Sequence, residues 1–196
     1  KGFKVFSNFF NYKNISKNKK IKKQISLICA ANVICHIPNL KDLIKSIDFA
    51  LNDNGLFIFE EPYLGSMFKK VSYDQIYDEH IFIFSVSSVK KIFNLFGFYL
   101  IDVIPQKTHG GSMRYVISRN NKVKKSVKKY LSIEQKSNVD NFKGCKKFKL
   151  NCEKSKKDLV SKIKKLKKQN KKIAGYAATS KSTTILNYCD IGSESI

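Results

Sequence analysis

Two short apolar runs flanking an amphipathic stretch constrain this chain more than any other feature. Residues 24–31 read Gln-Ile-Ser-Leu-Ile-Cys-Ala-Ala, and residues 56–59 read Leu-Phe-Ile-Phe. Both have strand length and almost no polar alternation, the pattern of strands buried in a helix-covered parallel sheet, with the first expected to be buried on both faces. Between them Leu40, Leu43, Ile44, Ile47 and Leu51 recur at helical spacing, after a turn at Pro38 and before the breaker Asn52-Asp53-Asn54-Gly55. A second helix is expected over 85–96, where serines cap the start, Val89, Ile92, Phe93 and Phe96 share a face, and Gly97 supplies the closing turn. Strands over 99–104 and 113–118 then pair as a hairpin across Gly110-Gly111. The expected class is α/β.

A chain of 196 residues has room for one good core and the beginning of a second. It opens on Lys1 and stops at Gly192-Ser193-Glu194-Ser195-Ile196 without a closing element, so a fragment is expected. No apolar run approaches the roughly 20 residues of a membrane span, and the basic start is unlike a signal peptide. Five cysteines contain no Cys-x-x-Cys pair, which argues against a zinc site or redox motif and for reduced, mostly buried thiols in a cytoplasmic protein.

The formal charge of +23 invites a nucleic-acid reading. Of 38 basic residues only Arg114 and Arg119 are arginines, however, and base readout favours the guanidinium fork. The excess is therefore read as solvated surface, with no specific nucleic acid as partner. The wealth of Lys, Asn, Ile, Phe and Tyr matches the codon bias of an AT-rich genome.

Tyr73-Asp74-Gln75-Ile76-Tyr77-Asp78-Glu79-His80 holds two phenols, three carboxylates and a histidine. Histidine titrates near neutrality, a carboxylate can tune it, and a phenol can donate to a developing oxyanion, so the set suits proton removal beside a carbonyl. Such residues also mix on surface loops, and the inventory alone leaves that reading open. In a second stretch, 172–177 is expected to be a strand leading to a turn with Thr179, Ser180, Lys181 and Ser182, suited to a phosphate. Ser180 stands where a Walker A loop needs its second glycine, which counts against that motif. At least residues 154–169, with Leu159, Ile163 and Leu166 in register, are expected to form an amphipathic helix that needs no ligand.

Five ordered segments resemble the S-adenosylmethionine-dependent sugar C-methyltransferase family: Asn32-x-x-x-His36-x-Pro38, Glu60-Glu61-Pro62-Tyr63, Tyr77-x-Glu79-His80, His109-Gly110-Gly111-x-x-Arg114, and 175–188. The resemblance implies the second half of a class I methyltransferase Rossmann-like sheet over 1–120, a lysine-rich helical connector over 121–171, and the start of a C-terminal Rossmann-like α/β domain over 172–196. It implies C-methylation of a nucleotide-linked 4-keto-6-deoxy sugar next to its ketone, with His80 as base, Glu79 tuning it and Tyr77 steadying the enolate. His36, Asn32, Arg114, Gly111, Tyr176 and Lys181 would meet the sugar nucleotide, and Phe10, Ala31 and Asn32 the cofactor, the segment over 3–12 resembling a strand and loop near the adenine. Ala177 and Ser182 replace glycines of the last element, which weakens its phosphate contact. Without the resemblance, Asn32 reads equally as a turn cap and His36 as a backbone hydrogen bonder; His109 reads as a loop hydrogen bonder and Arg119 as surface. The glycine-rich turn and ribose-binding acid of a class I domain do not occur before Asn32, so poor S-adenosylmethionine binding is expected. A zinc-binding region of the family has no counterpart here, and zinc would belong only to that region. The alternatives are an O- or N-methyltransferase of another small molecule and a non-catalytic basic binding protein.

Overall fold

The computed structural model describes residues 2–177 and 179–196; Lys1 and Ala178, within the first and last expected units, lie outside the described residues. Four strands form one mixed sheet in the order β1-β2-β4-β3, with β1 Ile25–Ala31, β2 Leu51–Pro62, β3 Tyr99–Gln106 and β4 Ser112–Ser118. β1 and β2 run parallel, and β4 lies antiparallel between β2 and β3. The hairpin expected across Gly110-Gly111 therefore forms, and its second strand inserts beside β2.

The helices are α1 Tyr12–Ile15, α2 Leu40–Ala50, α3 Leu64–Lys70, α4 Val86–Asn94, α5 Lys125–Ser137, α6 Phe142–Lys168 and α7 Ser180–Cys189. Asn39 caps α2 through Asp42 N–H, Ser85 and Ser88 close a capping box on α4, and Gly97 turns the chain after α4 at φ +72°. Leu43, Ile44 and Ile47 of α2 and Val89 and Phe93 of α4 join Phe57, Phe59 and Tyr115 of the sheet in one buried core. Phe59 stacks on Tyr115 with centroids 4.8 Å apart. Each such side chain contributes about 1.5–3 kcal/mol by leaving water.

β1 departs from expectation. Its residues are half-buried or exposed, with Leu27 52% exposed, whereas burial on both faces was anticipated. Ile28 and Ala30 pack against the core, but Leu27 and Cys29 share the opposite face with their β2 partners Leu56 and Ile58, which are only half-buried. An apolar run reveals strand tendency but not which face a helix covers.

Two further expected strands are absent. Residues 2–11 are irregular before α1, and 171–177 are irregular before α7, because neither segment has a neighbouring strand to bond. Among the cysteines Cys35, Cys152 and Cys189 are buried, but Cys29 and Cys145 are exposed; all five are free thiols. No helix among the described residues is long and apolar enough to cross a membrane.

The lysine-rich region past residue 121, expected to be a helical connector with at least 154–169 in a helix, holds two helices. α6 begins well before 154, and α5 has no counterpart among the individual helices named from the sequence. α5 packs against α4 and β3 and brings Glu134 into the core at 1% exposure. Its carboxylate accepts from Val86 N–H (2.6 Å), Ser87 N–H (2.9 Å) and the Tyr63 hydroxyl (2.9 Å). An anion at the start of α4 satisfies amides that have no partner within the helix.

Candidate active site

The site is built on two loops, one leaving the end of β1 and one joining α3 to α4. The first follows β1. Asn32 adopts φ +52° while its N–H bonds Glu60 O, and the chain then winds through the short turn Ile34–His36. Three successive amides of that turn donate to one oxygen of Glu61: Val33 (2.9 Å), Ile34 (2.6 Å) and Cys35 (3.3 Å). Glu61 is fully buried, and its other oxygen, Oε2, has no hydrogen-bond partner. A carboxylate placed in the nest of a tight turn fixes the backbone and therefore the side chains of Cys35 and His36.

The second loop joins α3 to α4 and carries Tyr77, Glu79 and His80. It is pinned to the first by Phe82 N–H donating to Cys35 O and by His36 Nδ1–H donating to Glu79 O at 2.6 Å. His80 Nδ1–H donates to Gln75 O at 2.9 Å, and its Nε2 accepts from the Tyr77 hydroxyl at 2.8 Å. Carbonyls only accept, so both histidines carry the proton on Nδ1 and keep the lone pair on Nε2. The two rings lie 5.1 Å apart, centroid to centroid.

The electrostatics fit a neutral base. Burial pulls His80 below its ordinary value, opposed by the Gln75 carbonyl and aided by the neighbouring His36, so it is free imidazole at neutrality. Burial, then the charge of Glu79, pushes Tyr77 up, so the phenol keeps its proton. Burial and the adjacent Glu61 hold the Cys35 thiol far above its usual range.

His36, Tyr77, Glu79 and His80 therefore meet. The part expected of the Glu79 side chain is filled otherwise: the carboxylate is exposed, the carbonyl of Gln75 orients His80, and the carbonyl of Glu79 orients His36. Arg114 is engaged within the sheet. Its Nε and Nη2 donate to Glu60 Oε2 at 3.2 and 2.9 Å across the β2–β4 pair, with Thr108 on the other oxygen, whereas a sugar or phosphate oxygen was expected. Gly111, at φ +127°, packs against Ser66, where a Cβ would come within 2.6 Å of its hydroxyl. Its role here is close approach of loop to helix. His109, likewise in the left-handed region, accepts from the Gln75 amide through its carbonyl. Arg119 reaches Asp48 and the Gly97 carbonyl and stacks over Phe98, more than a bare surface charge.

α7 leans on the second loop. Tyr188 meets Tyr73 at 4.9 Å between centroids, and Tyr73 OH lies 3.6 Å from Cys189 Sγ. Tyr77 and Asp78 thereby share an open cleft with Thr179, Ser180 and Thr183. Lys181, near the start of α7, adds its positive charge to the field at His80. Thr179 and Ser182 cap each other, which gives Ser182 a role a glycine there could not fill. Tyr176 stands fully exposed.

Phe10, Ala31 and Asn32 were expected to meet S-adenosylmethionine. All three are exposed; Ala31 closes β1 and Asn32 begins the turn. The first acid of the sequence is Asp42, which accepts from Tyr12 N–H. These three residues by themselves do not make a cradle for the cofactor, which needs an acid for its ribose hydroxyls. Glu61, Gln75 and Glu134 carry weight that sequence reasoning did not assign. The available signal was an acid inside an apolar strand for Glu61, and for Glu134 one of only two acids between Asp102 and Glu153.

Comparison with known proteins gives two family matches and a relative. A model described as a methyltransferase domain matches residues 3–103, and one described as a C-methyltransferase C-terminal domain matches 107–196. The C-methyltransferase NovU of Streptomyces niveus is 25% identical over 173 residues, covering 87% of this chain and 41% of that protein. The chain thus spans about two fifths of that relative's length. With a matched region of more than half its residues, a Rossmann-like mixed sheet and an acid–base cluster at the strand ends, the chain belongs to the methyltransferase-domain family.

Proposed function

We propose that this chain contributes the proton-abstracting, sugar-facing part of a C-methyltransferase acting on a nucleotide-linked 4-keto-6-deoxy sugar, with His80 as the general base. The observation that carries the reading is the array Gln75 O···H–Nδ1 His80 Nε2···H–O Tyr77, a neutral imidazole with its tautomer fixed and a phenol on its lone pair. When a substrate ketone takes the Tyr77 hydrogen bond, the Nε2 lone pair is released. His80 then accepts the proton from the adjacent carbon, the C–H electron pair becomes the enolate double bond, and the carbonyl pair moves onto the oxygen that Tyr77 steadies. The imidazolium is held by the Gln75 carbonyl. The nucleophilic carbon is then available to a methyl group carried by S-adenosylmethionine.

Lys181 and the first amides of α7 would receive the nucleotide phosphates, because a helix start and a lysine both favour an anion. In the same reading 1–120 is the catalytic half-domain, 121–171 the connector and 172–196 the start of the substrate domain, in a cytoplasmic enzyme. Solvent deuterium tests the reaction class. A C-methyltransferase exchanges the hydrogen next to the ketone of the keto-sugar nucleotide without any methyl donor. Methyl transfer to oxygen or nitrogen with no such exchange would establish the competing class, and neither exchange nor transfer would leave a binding protein.

A further inference from the structure

Cys35, His36 and His80 each direct a ligand atom into one small volume, with all three atoms within 4.8 Å of one another. The adjacent pair Cys35-His36 and the distant His80 share no metal-binding spacing in the sequence; the turn held by Glu61 brings them together. Both histidines already have the second contact that metal-bound imidazoles make, an Nδ1–H donated to a backbone carbonyl. Each is thereby left with Nε2 as its donor atom. Glu61 supplies a buried negative charge beside Cys35, with one oxygen unpartnered. One thiol sulfur, two imidazole nitrogens and a nearby carboxylate make a donor set for a borderline-soft divalent cation.

We propose that Cys35, His36 and His80 form a three-ligand site for Zn²⁺ or a cation of its class, whose occupation removes His80 from acid–base work. Tetrahedral zinc needs bonds of about 2.3 Å to sulfur and about 2.0–2.1 Å to nitrogen, so the three side chains close by roughly an ångström on binding. Three protein ligands leave the fourth position to water. The Cys35 thiol releases its proton to solvent as the S–Zn bond forms, and no electron changes hands. The Tyr77 hydroxyl gives up His80 Nε2, since the lone pair it occupies becomes the metal bond.

Co²⁺ added to chelator-treated protein is the probe. One equivalent is expected to bind with the intense visible bands of four-coordinate cobalt and a near-ultraviolet thiolate-to-cobalt band, with Zn²⁺ displacing it. The thiolate band must vanish in Cys35→Ser, and the visible bands must collapse in His36→Asn. Circular dichroism checks that Cys35→Ser keeps its fold, and His36→Asn, on a half-exposed ring, provides the test should it not. The weak spectrum of six-coordinate aqueous cobalt in the unmodified protein would overturn the proposal. So would a four-coordinate spectrum that survives both substitutions, which would put the cation elsewhere.

Discussion

Glu134 and Glu61 are both buried carboxylates turned toward runs of backbone amides, yet they end up differently satisfied. Glu134, under the scaffold, uses both oxygens: Oε1 takes Tyr63 and Val86, and Oε2 takes Ser87. Glu61, under the site, spends Oε1 on three amides and leaves Oε2 without a partner. A fully bonded buried anion stiffens a structure, whereas a half-bonded one retains a field and an acceptor where chemistry occurs. In the proposed reading, the difference separates the scaffold from the candidate site.

The comparison can be broken by substitution. Glu134→Ala leaves two helix-start amides and a buried phenol unanswered, and should lower unfolding free energy by about 2–4 kcal/mol, measured as a lower denaturant midpoint. Glu61→Gln keeps an acceptor for the turn and should cost less, about 1–2 kcal/mol, while depressing turnover far more than the stability loss explains. Equal stability losses with unchanged turnover would erase the distinction between the two carboxylates.

The smallest effect concerns Asp102, which sharpens how α5 is attached. Burial would raise its carboxyl, but Lys124 and Ser126 outweigh that and hold it below the usual range. A depressed folded value means stability that is present above the unfolded value of about 3.9 and lost as pH falls through the folded one. Asp102→Asn should therefore cost on the order of 1 kcal/mol at neutral pH, and the gap to the unmodified protein should close below about pH 4. A gap independent of pH would mean that Lys124 contributes nothing through charge.

The sheet, α2, α4 and the β3–β4 hairpin were legible because periodicity, caps and turn residues act locally. Tyr77 and His80 were legible as types for the same reason. Burial of β1 was misread because an apolar run does not say which face is covered. The Glu60 partner of Arg114 was not legible, because it follows from cross-strand register rather than from sequence spacing. α5 was lost among lysines: its stripe is short, and Glu134 gains meaning only when α4 is packed beneath it. Cys35, His36 and His80 converge through a pairing of loops that no spacing rule encodes.

The central claim is that His80, released by Tyr77 and tethered by Gln75, removes the proton. Its most direct test is solvent-deuterium exchange next to the ketone of the keto-sugar nucleotide, compared in the unmodified protein, His80→Asn and Tyr77→Phe. Exchange should fall by about 10²–10⁴-fold in His80→Asn, with folding and substrate binding retained, and by less in Tyr77→Phe. Exchange that persists in His80→Asn at the unmodified rate would contradict the account.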